Sequence, residues 1–281
     1  MKPIKLICTD VDGTLLDINR GLSPYTLQVL KRAVHQHQIP LILASSRMPS
    51  AMTYFHEELG INERLICYNG ALVLDKKGQN GAADVLFSLP IPSDITSKII
   101  DFGEELALHT SVYENDNWYA PQMDYWTERE INNTRVQAQI ADYKAIKEQV
   151  CQKAQGAHKI MCMGSVEHID QMMEFLYNNF SETVSAYRSK DTYLELANKS
   201  INKATAIQLI AIKYDVLLDE IMAFGDNYND MEMLESVGWG VAVGNGREEV
   251  KAIANEITCH HKEDGLAKSL EAMLNRLASN R

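Results

Sequence analysis

Asp10 and Asp12 close the apolar run Ile4-Lys5-Leu6-Ile7-Cys8-Thr9 and are followed at once by Gly13 and Thr14. The run reads as a buried strand of a parallel sheet, and side chains two apart on extended backbone share a face. Both carboxylates are therefore expected in one crevice at the strand's C-terminal end. Two like charges held that close require a cation, and all-oxygen ligands suit a hard ion such as Mg2+. Gly13 lets the chain turn tightly, so that N–H groups can approach an anion, and phosphate is the obvious one. An isolated Asp-x-Asp-Gly is more often a plain turn; the rest of the chain decides between the two readings.

Ser45 ends a second strand-like run, Pro40–Ala44, and offers a hydroxyl either to a phosphate oxygen or to the first turn of the next helix. Lys203 opens a helix expected over Ile201–Tyr214. An ammonium beside a helix N-terminus can hold phosphate, although a lone lysine is usually solvated. Gly225-Asp226-Asn227-Tyr228-Asn229-Asp230 follows a further strand, Ile221–Phe224, and brings a second acidic pair to the same sheet edge as Asp10. Asp226 can complete a metal site, and Asn229 and Asp230 can orient Lys203 and the phosphate from behind.

Positioning these residues requires strands that alternate with helices. Ser23-Pro24 starts one helix, and another runs to Leu59 and stops at Gly60. Leu65–Cys67 makes a third short strand with Asn69-Gly70 at its end. The fold class is therefore α/β: a doubly wound parallel sheet with ligands at strand C-terminal ends. From Asp84 to Arg188 the pattern changes to strand-like pieces (85–89, 108–113, 159–163, 183–187) mixed with helices near 95–106, 145–154 and 167–178. This is expected to be an inserted α+β domain, 84–188, that splits a core of 1–83 and 189–281. The polar segment Asp75 to Asp84 is the predicted border.

The 281 residues suffice for a core plus insert, and a formal charge of −11 disfavours nucleic acid and anionic membrane surfaces as partners. Five scattered cysteines without a C-x-x-C pair suggest reduced thiols and neither a disulfide framework nor zinc. No apolar stretch approaches the ~20 residues that span a bilayer, which points to a cytoplasmic protein. His260-His261 reads as a solvated strand end, and the twelve methionines read as core filler.

Taken together, these motifs resemble the haloacid dehalogenase-like phosphatases, in particular the Cof-type, sugar-phosphatase-like branch, over essentially the whole chain. Asp10 to Thr14, Ser45, Lys203 and Gly225 to Asp230 stand in that family's order, and Asn69-Gly70-Ala71 and Ala242-Val243-Gly244-Asn245 look like further signatures. The resemblance implies a Rossmann-like core with a mobile cap formed by the insert. It implies Asp10 as nucleophile and Asp12 as general acid and base, with Mg2+ on the Asp10 carboxylate, the Asp12 carbonyl and Asp226. Asp12, Gly13, Ser45, Lys203 and Asn229 would face the phosphate, with Thr14 and Asp230 supporting them. Arg47, Asn69, Gly70, Trp118 and Trp126 are candidate contacts to the rest of a small phosphorylated metabolite. The five aromatics Tyr113, Trp118, Tyr119, Tyr125 and Trp126 read first as core of the insert, and second as a wall against the substrate. Two positions depart from the family pattern: Ser45-Ser46-Arg47 stands for Thr-Gly-Arg, and Lys203-Ala204 for Lys-Gly. Asp12 favours turnover to free phosphate over a lasting phospho-enzyme. A phosphomannomutase-like phosphotransferase and a catalytically silent phosphate-binding regulator are the alternatives.

Overall fold

The computed structural model describes residues 3–152 and 154–279. Strand β1 (Leu6–Thr9) is fully buried and pairs in parallel with β2 (Leu41–Ala44) on one side and with Ile221–Gly225 on the other. Burial on both faces is why these segments read as unbroken apolar runs. The eight-stranded sheet has the order Glu256–Ile257, Trp239–Ala242, Ile221–Gly225, β1, β2, β3 (Leu65–Cys67), β4 (Leu72–Lys77), β5 (Ala83–Ser88). Pairing is parallel from Glu256–Ile257 through β3, and β4 runs antiparallel to β3. The fold is the α/β, doubly wound type, with an added antiparallel edge.

The helices start and stop where local chemistry says they should. Ser23 Oγ accepts from the Thr26 N–H ahead of Pro24–Lys31, and Ser50–Leu59 ends at Gly60 in left-handed backbone (φ 68°). Lys203–Tyr214 is capped reciprocally by Asn202 and Thr205.

The described chain divides into two compact units. The first holds the chain up to Ser46, Met52–Leu86 and the chain from Asn202; the second holds Arg47–Ala51 and Phe87–Ile201. The second unit is α+β. Its six-stranded sheet has the order Val184–Lys190, Tyr193–Asn198, Lys159–Met163, His109–Glu114, Asn117–Ala120, Gln139–Ile140. Ile99, Ile100, Ile169, Met172 and Leu176, from helices Ser93–Glu105 and Val166–Phe180, pack on Val112, Ile160, Cys162, Leu194 and Leu196 of that sheet.

Three expectations need correction. The segment 75–84 is not a linker, because it holds the end of β4, a turn and the start of β5; the polar, largely open end of β4 near the sheet edge disguises it. The insert's second border lies at 201/202 and not at 188/189, because Tyr193–Asn198 pairs with both Val184–Lys190 and Lys159–Met163. The helix expected over 145–154 is helical over Tyr143–Gln152, starting two residues early on an Asp142 cap, and residue 153 lies outside the described residues. Among the described residues, no helix is long and apolar enough to cross a membrane.

Candidate active site

Asp10 leaves the end of β1 with its N–H bonded to the Phe224 carbonyl at 2.9 Å, so the backbone of two adjacent strands sets its position. The backbone stops being extended after Thr9, and Leu15 and Leu16 donate back to the Val11 carbonyl. Asp12 is thus carried by a turn and not by strand alternation, and it is exposed where Asp10 is only 6 % exposed.

Lys203 is completely buried. Its ammonium donates to Asp10 Oδ1 at 2.5 Å and to Asp230 Oδ1 at 2.7 Å. Burial pulls its proton affinity down, but the two facing carboxylates outweigh that and raise it, so the side chain stays cationic. Asp230 is also fully buried; its second oxygen accepts from the backbone N–H of Asp226 and of Asn227, at 3.0 and 3.1 Å. One carboxylate therefore fixes both the lysine and the loop that carries Asp226. Gly225 makes room for it: a Cβ there would lie 2.4 Å from that of Asp230.

Asp226 faces the same centre. Thr14 Oγ1 donates to its Oδ1 at 3.0 Å, and Gly13 (φ 84°) lies so close that an added Cβ would sit 2.6 Å from Oδ2. Gly13 is needed for both reasons, its left-handed backbone and its lack of a side chain. Burial pushes the Asp226 carboxyl up to about 7, with Asp230 adding to the shift and the Thr14 hydroxyl opposing it. Burial also lifts Asp10 well above the usual carboxylate range, against the pull of Lys203 and with reinforcement from Asp230 and Asp226.

One carboxylate oxygen each from Asp10, Asp226 and Asp230 lies within 4.8 Å of the others. Since both oxygens of Asp230 are engaged, Asp10 and Asp226 are the members open to an ion. Partly buried carboxylates whose charges are incompletely balanced fit a hard divalent cation, which would remove the penalty that raises their proton affinity.

Ser45 is 1 % exposed at the end of β2, and its carbonyl accepts from the Asn69 N–H at 2.9 Å. Asn229 does not stand alone toward a phosphate: its Nδ2 donates to Asn69 Oδ1 at 3.0 Å. Gly70, in left-handed backbone, abuts the Asn202 carbonyl, one residue before Lys203. The first unit thus brings together Asp10, Gly13, Thr14, Lys203, Asp226 and Asp230, and ties Ser45, Asn69 and Asn229 to one another.

The other candidates lie in the second unit. Arg47 is buried and donates to the Ala51 carbonyl at 3.2 Å. Trp118 is 2 % exposed, stacks on Tyr113 and donates its indole N–H to Ser111 Oγ at 3.0 Å. It is a core residue of the insert, which corrects its assignment as a substrate contact. Trp126 is half-buried, meets Tyr193 edge-on, and lines a cleft of about 400 Å³ with His109, Asp124 and Tyr143.

Two supporting residues carried no role in the sequence reading. Asn245 donates to the Gly13 carbonyl at 2.8 Å and accepts from the His261 N–H at 2.9 Å, while a His261 ring nitrogen meets the Leu16 carbonyl at 2.6 Å. His261 is tethered to the turn after Asp12 and is not merely solvated. The Gly244-Asn245 turn after a strand was the only signal for this clamp.

A profile of haloacid dehalogenase-like hydrolases matches residues 7–270. The chain belongs to this family. It is 32 % identical over 269 residues to a Haemophilus influenzae protein named as a phosphatase, covering 95 % of this chain and 97 % of that one. It is 26 % identical to the 5-amino-6-(5-phospho-D-ribitylamino)uracil phosphatase of Bacillus subtilis, covering 95 % and 96 %. The crystal structure of a haloacid dehalogenase-like hydrolase from Bacteroides thetaiotaomicron shares the fold, with TM-score 0.85, 23 % identity, and 96 % and 99 % coverage. In this hydrolase, the carboxyl groups of Asp10, Asp226 and Asp230 and the buried Lys203 ammonium meet at one sheet edge. That combination can bind and transfer a phosphoryl group.

Proposed function

We propose that this hydrolase is a Mg2+-dependent phosphatase that acts on small phosphorylated metabolites in the cytoplasm through an aspartyl-phosphate on Asp10. The observation that carries the reading is the fully buried Lys203 held between Asp10 and Asp230, beside Asp226. Burying one ammonium among carboxylates is costly, and it makes sense where a further anion must be received.

Asp10 Oδ2 attacks phosphorus, and the bond to the leaving oxygen breaks in line. Asp12, exposed at the opening, gives its proton to the leaving alkoxide and then takes one from the water that hydrolyses the acyl phosphate. Lys203 and the Ser45 hydroxyl balance charge on the equatorial oxygens. Mg2+, held by the Asp10 carboxylate, the Asp12 carbonyl and Asp226, would neutralise the nucleophile and the phosphoryl oxygens together. Thr14, Gly13 and Asn245 keep the turn that carries Asp12 in register with Asp226. The Bacillus relative is named for a phosphate ester on a ribityl chain joined to a uracil ring. A phosphomonoester of comparable size is the substrate class we infer.

The test is phosphate release from an aryl phosphate and from a panel of phosphorylated sugars, pyridoxal phosphate, flavin mononucleotide and nucleotides, with Mg2+ and with excess chelator. Release that stops on chelation and returns with Mg2+ is expected. Full activity in chelator would contradict the metal assignment.

A further inference from the structure

The end of β3 is strained in a way that a simple turn does not need. Tyr68 (φ 51°), Asn69 (φ 56°) and Gly70 (φ 107°) are successive residues in left-handed backbone, and two of them carry side chains. Side chains disfavour that region, so such non-glycine residues persist only where their surroundings impose them.

The distortion delivers two hydrogen bonds from one residue. The Asn69 N–H reaches the Ser45 carbonyl at 2.9 Å, and Asn69 Oδ1 receives Asn229 Nδ2 at 3.0 Å. In the sheet order, β2 and β1 separate β3 from Ile221–Gly225, the strand that leads to Asn229. At about 4.8 Å per strand, the bond closes a gap of roughly 14 Å over the ends of the two central strands. Gly70 presses on the Asn202 carbonyl, so the same turn is seated against the helix that carries Lys203.

We propose that Asn69 is a positioning residue that fixes which end of the Asn229 amide is offered to the phosphoryl group; this rests on the reading of Ser45 and Asn229 as phosphoryl neighbours. A side-chain amide has a donor end and an acceptor end, and a carbonyl oxygen can only accept. Asn69 Oδ1 therefore draws the Asn229 NH2 toward itself, and the second hydrogen of that nitrogen remains for a phosphoryl oxygen. Without Asn69 Oδ1 the amide can rotate and turn its own oxygen, a repulsive neighbour, toward the phosphate. Through its N–H, Asn69 also ties the Ser45 backbone to the same frame.

Asn69→Gly separates this role from a turn-forming one, because glycine tolerates the left-handed backbone and keeps the N–H but lacks the oxygen. Competitive inhibition by inorganic phosphate in Mg2+ and kcat/KM for an aryl phosphate are measured for wild type, Asn69→Gly, Asn229→Ala and the double variant, with melting temperatures alongside. Asn69→Gly is expected to melt at or above the wild-type temperature while losing about tenfold in phosphate affinity, the worth of one hydrogen bond to a charged group. The double variant is expected to lose no more than Asn229→Ala alone, because Asn69 acts through Asn229. Unchanged phosphate affinity in Asn69→Gly, or additive losses in the double variant, overturns the inference. A wild-type protein indifferent to phosphate overturns the underlying functional reading as well.

Discussion

Lys203 shows most plainly how single residues carry the site. Its ammonium has no exposed surface, and its two partners are the carboxylates of Asp10 and Asp230. Lys203→Met removes the charge and keeps the stem, leaving two buried carboxylates face to face. The expected cost is about 3–5 kcal/mol in urea unfolding without added metal. A loss under 1 kcal/mol would mean that the ion pairs do not hold the site together. The polar residues at strand ends were legible in the sequence, because an Asp or Ser placed where an apolar run stops is conspicuous, whereas Lys203, at a helix start, gained its weight from the family resemblance. The partnership of Asn69 with Asn229 was not. The two lie 160 positions apart, and nothing in either segment points to the other.

At the scale of elements, the buried parallel strands announced themselves as apolar runs and β5 was placed only two residues late, whereas β4 and Tyr193–Asn198 did not show themselves. Strands at a sheet edge, or with one face open to water, mix polar and apolar residues, and their pairing is decided by partners far away in the chain. His158, next to Lys159–Met163, couples that second sheet to pH. Its Nδ1 accepts the Asn115 N–H at 3.1 Å and its Nε2 pairs with Ser88 Oγ at 2.9 Å, an arrangement that requires a neutral ring. Burial lowers its pKa from 6.5 to about 4. The unfolded chain takes up the proton near 6.5 and the folded one does not, so this contribution is complete above that pH and is lost as pH falls toward 4. The loss amounts to about 3 kcal/mol at ~1.4 kcal/mol per pH unit. Unfolding of wild type and His158→Asn, followed from neutral to about pH 4.5, checks the sign. The variant keeps an acceptor for Asn115 but cannot titrate, so its stability should depend less steeply on pH. Equal slopes would remove His158 as the cause.

At the scale of the molecule, the chain builds two units with separate cores, and the aromatic residues of the insert divide between interior and surface accordingly. Trp118→Ala opens a cavity beside Tyr113 and leaves Ser111 Oγ with His109 Nε2 but without the indole N–H, and should cost about 3–5 kcal/mol in the second unit. Trp126→Ala, from a half-buried position, should cost markedly less; equal costs in circular-dichroism melts would return Trp126 to the core. The central claim is that turnover passes through a phosphoryl group on Asp10, and the most direct measurement is peptide mass spectrometry after acid quench. Asp12→Asn protein is mixed with Mg2+ and an aryl phosphate whose good leaving group needs no proton, so that the first half-reaction proceeds while hydrolysis of the intermediate is slowed by about 10²–10⁴. A phosphoryl group on the peptide that contains Asp10, absent from the same peptide of Asp10→Asn, is the expected result. Continued phosphate release with no modified Asp10 peptide, or near-normal turnover by Asp10→Asn, would contradict it.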